Sequence, residues 1–320
     1  MESKSRLRIA IAGCGSLVRM VHLPLLAAMP KVEVVAIADP ARDALNMALA
    51  QYPGILPFHA LSELLDTVAC DAVVVASPTH LHAEHAVLVL EHKKALYLEK
   101  PMASTLDEAR LLIEVSQSCN TVAMMGFNYR YNPLWKHVAV EAKRQPLTAL
   151  DSVFSLATRE LPQWKRKRAT GGGALLDLAT HHLDLISNVF GLEPSSIEAK
   201  ISSEHSEHDR VHLKLVSTSG IPISGSYSLL GREADEFTLK TASHSRRFSR
   251  YEAFCYPIFP PREFARYHMA RWKSPWKEPS FAYSLEAWIH AIAHGEASPI
   301  PLVDGFRVMQ WIHSAESGAG

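Results

Sequence analysis

The run from Gly171 to Asp184, GGGALLDLATHHLD, sets Asp177 four residues before His181 and Asp184 three after it, inside an apolar stretch. On a helix these spacings put all three side chains on one stripe. A carboxylate one turn from an imidazole can orient the ring and raise its basicity, which suits a general base near neutral pH. The same residues also read as a buried, hydrogen-bonded histidine in a core helix. His182 points about 100° away round such a helix and reads as structural.

The N-terminal residues carry a second chemistry. Leu7 to Ala12 (LRIAIA) is a short apolar strand, followed by Gly13-Cys14-Gly15 and a helical pattern through Leu26. Val32 to Ala38 reads as another strand and ends in Asp39. This is the order of a dinucleotide-binding unit. Gly13 allows the tight turn, and Gly15, followed by Ser16 and Leu17, lets the backbone approach a pyrophosphate at the helix N-terminus. Val18 stands at the third glycine position and predicts a helix held slightly off the strand.

Asp39 can accept hydrogen bonds from the adenosine ribose, each worth about 1.5–3 kcal/mol to a charged group. It would repel a 2′-phosphate, so it favours NAD; Arg42 keeps NADP possible, because a nearby arginine can receive that phosphate. The other reading of Asp39 is a helix N-cap. Pro24 is expected to kink the first helix.

Further along, Ser77-Pro78-Thr79 follows the strand pattern Asp71 to Ala76, and Glu99-Lys100-Pro101 follows Ala95 to Leu98. Together with GCGSLVRMVHLP, SPTHLH at 77–82, EKP at 99–101, GFNYR at 126–130 and GGGALLDLATHHLD, these motifs resemble the Gfo/Idh/MocA family of oxidoreductases over essentially the whole chain. Ala179 departs from the glycine usual there. The resemblance implies that Lys100, Asp177 and His181 surround a reacting carbinol. Ser77, Pro78, Thr79, His82, Glu99 and Lys100 would contact the cofactor, beside Gly13, Gly15, Ser16, Leu17, Asp39 and Arg42. Asn128 and Arg130 would line the substrate cleft; Trp164, beside the basic run, reads separately as a face for stacking on a sugar or base.

The implied reaction is hydride transfer between NAD, or NADP, and a secondary alcohol or ketone of a sugar, cyclic polyol or sugar derivative. His181 would take the hydroxyl proton, Lys100 would stabilise the oxygen's developing charge, and Asp177 would orient His181 or bind a neighbouring hydroxyl. Two alternatives stay open: a redox-neutral, NAD-dependent glycoside-processing enzyme and a non-catalytic dinucleotide-binding sensor. The resemblance also implies a homodimer or homotetramer. The basic run Lys165-Arg166-Lys167-Arg168 reads either as a solvated loop or subunit contact, or as a clamp for an anionic substrate with Trp164 stacking beside it.

The 320 residues, 48% of them apolar, suit two domains with separate cores. Strand–helix alternation to about residue 125 predicts an α/β Rossmann domain over 1–125. The texture of 126–320 predicts an α+β substrate-binding and oligomerisation domain with a large, open, mostly antiparallel sheet. Its strands are expected at Val211 to Leu215, Ile221 to Leu230 and Phe237 to Lys240, with a Pro-rich surface excursion from Tyr256 to Pro279. Formal charge is zero, so no global field recruits nucleic acid or membrane. Cys14, Cys70, Cys119 and Cys255 share no CxxC spacing and suit a cytoplasmic protein. His80, His82 and His85 have no metal-ligand spacing, and no metal is expected.

Overall fold

Val32–Ala38, Ala72–Val75 and Ala95–Leu98 are apolar at nearly every position, which suits parallel strands covered on both faces. The computed structural model describes residues 6–157, 160–251 and 279–318. The expected excursion after Tyr256, and Cys255, lie outside them.

Strands β1 (Leu7–Ala12), β2 (Val32–Ala38), β3 (Leu56–Phe58), β4 (Ala72–Val75), β5 (Ala95–Leu98) and β6 (Ala123–Met125) form one parallel sheet in the order β3-β2-β1-β4-β5-β6. This is the Rossmann order, with the crevice at the carboxyl ends of β1 and β4, where the winding reverses. The helix Leu106–Gln117 shows how local sequence sets a boundary. Thr105 accepts from the Glu108 N–H, and the Glu108 carboxylate accepts from the Thr105 N–H, a reciprocal cap.

This unit runs to Gly126 and is completed by the Pro279–His294 helix and the chain through Phe306. The Tyr97 hydroxyl of β5 hydrogen-bonds Ser284 at 3.0 Å, and its ring meets Trp288 edge-on at 5.5 Å. At the sheet's far edge the Met125 N–H donates to the Ile300 carbonyl at 2.9 Å, covering a strand that would otherwise stand open.

The second unit starts at Phe127 and takes in the chain from Arg307 onward. Its strands β7 (Ala149–Ser155), β8 (Pro194–Ser202), β9 (Arg210–Ser217), β10 (Pro222–Ser228), β11 (Ala234–Lys240) and β12 (Ser245–Ser249) lie in the order β12-β11-β7-β10-β9-β8. Every pairing is antiparallel except β7 with β10. In β9, exposed and buried positions alternate strictly, with Val211, Leu213 and Leu215 inward, as in a sheet with one covered face. The cover is helical: Trp135 of the Pro133–Arg144 helix and Phe190 both meet Phe237 of β11 edge-on, at 5.2 and 4.8 Å. Asn132 caps that helix by accepting from the Leu134 N–H at 2.9 Å, with Pro133 in the first turn.

Candidate functional site

β1 ends at Ala12, and the chain turns through Gly13, whose φ of +99° lies in the left-handed region that glycine tolerates. A Cβ there would stand 2.6 Å from the Ala76 carbonyl oxygen at the end of β4. At Gly15 the same construction meets nothing within 4 Å. The backbone at Gly15 is thus open to an incoming group, next to the start of a helix, as a pyrophosphate requires. Replacing Gly13 with alanine forces either the loop or the 76–77 backbone to move. A strained left-handed residue alone costs about 1–2 kcal/mol, so NAD affinity by calorimetry is expected to fall about tenfold or more. Unchanged affinity would show that the loop has slack.

Val18, at the third glycine position, is fully buried. The turn Val18–His22 winds wide, with the Leu23 N–H reaching back five residues to the Val18 carbonyl. Pro24 follows directly and has no N–H to give, so the departure from regular winding falls where the sequence placed a kink.

Asp39, just past β2, has both carboxylate oxygens in use by the backbone. Oδ2 accepts from the Cys14 N–H at 2.6 Å and Oδ1 from the Ala41 N–H at 2.8 Å. It is not the helix N-cap, since the helix Arg42–Gln51 is flanked by Ala41. Asp39 instead ties the glycine loop to β2, leaving its remaining lone pairs for a ligand. The Cys14 thiol donates to the Ala44 carbonyl, and burial pushes its pKa up to about 11, with Asp39 adding to the rise. That excludes a reactive thiolate in the loop. Asp39 and Pro40 border a cavity of about 760 Å³ that also meets His59, Leu81 and His85. Arg42 is exposed at the start of its helix.

Beyond β4, Ser77 and Thr79 are buried, and the Ser77 hydroxyl has no partner among the described residues. Open space at Gly15, an orphaned hydroxyl at Ser77 and the two-oxygen hold on Asp39 together fit a dinucleotide.

Beyond β5, Glu99 is buried and turned inward. Its Oε1 meets His22 Nε2 at 2.8 Å, and its Oε2 accepts from the Lys100 N–H at 3.2 Å. His82 closes the corner, with Nδ1 2.7 Å from the Pro101 carbonyl and Nε2 2.8 Å from that of Ser77. Burial holds this imidazole below its usual range, against the pull of those carbonyls and Glu99. Glu99 and His82, read from the sequence as cofactor contacts, therefore brace the backbone that presents Lys100 and Ser77.

In the second unit Gly172 gives way to the loop before it: a Cβ there would overlap the Lys165 and Lys167 carbonyls. The Gly172 N–H donates to the Lys167 carbonyl at 2.9 Å. This fold-back brings Lys165 Nζ to Asp177 Oδ2 at 2.7 Å, with the ammonium 5.3 Å from the Trp164 ring. Arg168 is bound to Glu316, its Nη2 donating to Oε2 at 2.7 Å, and Arg166 Nε donates to the Leu161 carbonyl. The basic run is thus largely committed within the chain.

The helical segment continues as wide turns at Leu175–Ala179 and Leu185–Val189 on either side of Thr180–Asp184. Asp184 is fully buried and accepts from Arg130 Nη2 at Oδ1 (2.5 Å) and from Nε at both Oδ2 (2.9 Å) and Oδ1 (3.2 Å). Arg130, expected in the substrate cleft, has its guanidinium engaged there. Asn128 is buried in the turn Asn128–Tyr131.

His181 is 8% exposed and lies flat against Tyr129, ring centroids 4.2 Å apart and planes 18° from parallel. Tyr129 donates its hydroxyl proton to Asp235 Oδ2 at 2.7 Å, and His182 Nε2 donates to Asp235 Oδ1 at 3.0 Å. The Ser152 hydroxyl donates to His182 Nδ1 and accepts from Tyr227, each at 2.7 Å, an assignment of protons that leaves each of these contacts with one donor. Burial alone would raise the Asp235 pKa, but Arg250 and the bonds from His182 and Tyr129 hold it below the ordinary carboxylate range. Sequence reasoning missed Tyr129 and Asp235. The available signal was a carboxylate at an inward-facing position of the alternating strand ADEFTLK.

Two family models match the chain. One, described as an oxidoreductase family with an NAD-binding Rossmann fold, takes in residues 7–127; the other, the C-terminal domain of the same family, takes in 147–240. The chain belongs to the Gfo/Idh/MocA family. The family's rhizopine catabolism protein MocA of Rhizobium meliloti is 28% identical over 62% of this chain and 62% of its own length. Glucose-6-phosphate 3-dehydrogenase of Bacillus subtilis is 28% identical over 61% of this chain and 58% of its own. The chain thus spans about three fifths of the length of these curated relatives. Among solved structures, the WlbA dehydrogenase of Bordetella pertussis, crystallised with NADH and UDP-GlcNAcA, superposes with a TM-score of 0.85 at 19% identity, over 100% of this chain and 97% of that one. The likeness in this case is one of fold. Among the described residues, no helix is long and apolar enough to cross a membrane, and no group of three or more His, Cys, Asp or Glu could hold a metal ion.

Proposed function

We propose that this protein is an NAD-dependent dehydrogenase or ketoreductase acting on a secondary alcohol or ketone of a sugar, cyclic polyol or sugar derivative. One observation carries the reading. Four adjacent strands, β2, β1, β4 and β5, end on one sheet edge with Asp39, Gly13 to Leu17, Ser77 to Thr79 and Lys100 in that spatial order. That sequence of groups suits, in turn, an adenosine ribose, a pyrophosphate and the nicotinamide end of a dinucleotide. The activities named for the relatives point the same way.

Bound nicotinamide would supply the acceptor or donor of the hydride. The reading assigns Lys100, Asp177 and His181 to one reacting carbinol. His181 takes the hydroxyl proton in oxidation and returns it in reduction. Lys100 donates a hydrogen bond to the same oxygen and stabilises its negative charge. Asp177, already held by Lys165, binds a neighbouring substrate hydroxyl or sets the orientation of His181, and Trp164 offers a stacking face. The reading includes a homodimer or homotetramer, checked by sedimentation, and a cytoplasmic location, supported by the free thiols Cys14, Cys70 and Cys119.

The test mixes the protein with NAD or NADP and a panel of inositols, sugars, sugar acids and nucleotide sugars, following reduced nicotinamide by absorbance. Turnover of one substrate class with NAD preferred is the expected result. Binding without turnover would favour a redox-neutral cycle or a sensor, and absence of dinucleotide binding would overturn the reading. Asp39→Ala is expected to weaken NAD about tenfold or more, since bonds to a charged acceptor are worth about 1.5–3 kcal/mol. It should narrow the gap between NAD and NADP in the same titration.

A further inference from the structure

We infer that Tyr129 and Asp235 are positioning residues for His181, with one buried carboxylate fixing the imidazole through the tyrosine ring. The inference rests on the reading of His181 as the proton-transferring group. Its geometry is a two-oxygen clamp. Oδ2 of Asp235 holds the Tyr129 hydroxyl, whose ring backs His181, while Oδ1 holds His182, the next residue in the chain. The two bonds thus reach His181 from its flat face and through its own backbone. A tyrosine has only two side-chain torsions, and anchoring its far end leaves the ring little freedom.

The supports are themselves rigid. Asp235 lies on β11 directly opposite Phe154 of β7, and β11 is paired on its other side to β12. Tyr129 sits in the short turn Asn128–Tyr131, which runs into the capped Pro133–Arg144 helix. Arg250 completes the cluster, with Nη1 on Asp235 Oδ2 at 3.0 Å and on the Tyr129 hydroxyl.

Stability alone gives little reason for such a cluster. A fully buried carboxylate is costly to desolvate, and buried ion clusters can often be replaced by apolar residues without loss. What an apolar core would not supply is a fixed plane for the imidazole. A proton acceptor must stay within hydrogen-bond reach of its proton, and misplacement by about 1 Å can cost about 10²-fold in rate.

Three variants of the full-length protein test this. Tyr129→Phe keeps the ring and removes the anchor, Tyr129→Leu removes the ring, and Asp235→Asn weakens the clamp. The first readout is the ring C–H resonance of His181 in a carbon–proton spectrum, assigned by its loss in His181→Gln. Stacking displaces this signal upfield. Tyr129→Leu should abolish the displacement, and Tyr129→Phe and Asp235→Asn should reduce it and broaden the peak while the melting temperature of Tyr129→Phe stays near wild type.

The second readout is kinetic. Tyr129→Phe should lower kcat by up to about 10²-fold, with KM for NAD unchanged and Tyr129→Leu still slower. An unmoved His181 signal in Tyr129→Phe together with unchanged kcat would overturn the inference. So would a rate loss matched by unfolding alone. If the wild type turns over no substrate but the His181 signal moves as stated, the positioning stands and the dehydrogenase reading is the part that fails.

Discussion

His181→Ala is expected to lower kcat by about 10²- to 10⁴-fold, the usual contribution of a positioned general acid–base group, while the dissociation constant for NAD stays unchanged. The split follows from where the groups reside. Gly13, Gly15 and Asp39, the proposed dinucleotide contacts, all belong to the first unit, and His181 belongs to the second. Steady-state kinetics with the substrate class identified by the panel, beside a fluorescence titration of NAD, separates the two effects. His181 is 8% exposed and its ring is backed by Tyr129, so alanine leaves a gap that a small exogenous imidazole can enter. Partial rescue of kcat by added imidazole is therefore expected. Unchanged kcat would move the proton-transfer role elsewhere, with Lys100 the first candidate.

Asp235→Ala is the largest expected loss of stability, about 3–5 kcal/mol, the range for breaking a buried ion pair by removing one partner. The substitution strips Arg250, His182 and Tyr129 of their common acceptor. Urea unfolding at neutral pH reads it directly. The pH dependence has a definite sign. The Asp235 carboxyl titrates below its ordinary value of 3.8 in the folded chain, so the unfolded chain binds the proton first as pH falls. The stability that Asp235 contributes is full above about pH 3.8 and is lost as pH drops through its lower folded value. The gap between wild type and variant should narrow in that acid range, and a gap independent of pH would mean that packing, not the carboxylate, was lost.

What could be read from the sequence was what local composition encodes. β1, β2, β4 and β5 are largely apolar runs, broken only by Arg8 and Glu33 near the starts of the first two, and are followed by Gly, Asp, Ser and Glu-Lys-Pro, so their nature and the groups at their ends were legible together. β3 was not: Leu56–Phe58 is three residues long, exposed at two of them and contains a proline. β8 loses its alternation at its start, where the register shifts between Pro194 and Ser196, and of its inward positions only Ala199 is buried. The partners of the polar groups were hidden for another reason. Tyr129 and Asp235 are 106 residues apart, and His22 and Glu99 are 77 apart, so no spacing rule joins them. The GFNYR motif gives Arg130 a place lining the substrate cleft by resemblance, and only the fold shows that Asp184, 54 residues on, binds its guanidinium.

The dinucleotide-binding unit is written in two pieces. Tyr97 finds Ser284 and Trp288 only after the ribosome has passed the whole of the second sheet. Translation delivers residues one after another, and domains commonly fold in that order. Here the unit begun first stays incomplete until most of the second has been made, its sixth strand waiting for Ile300. A nascent chain stopped at Gly126 carries the glycine loop, Asp39 and Lys100 but leaves Tyr97 uncovered. The cover of the fifth and sixth strands is thus deferred until the segment bearing His181 has already been made.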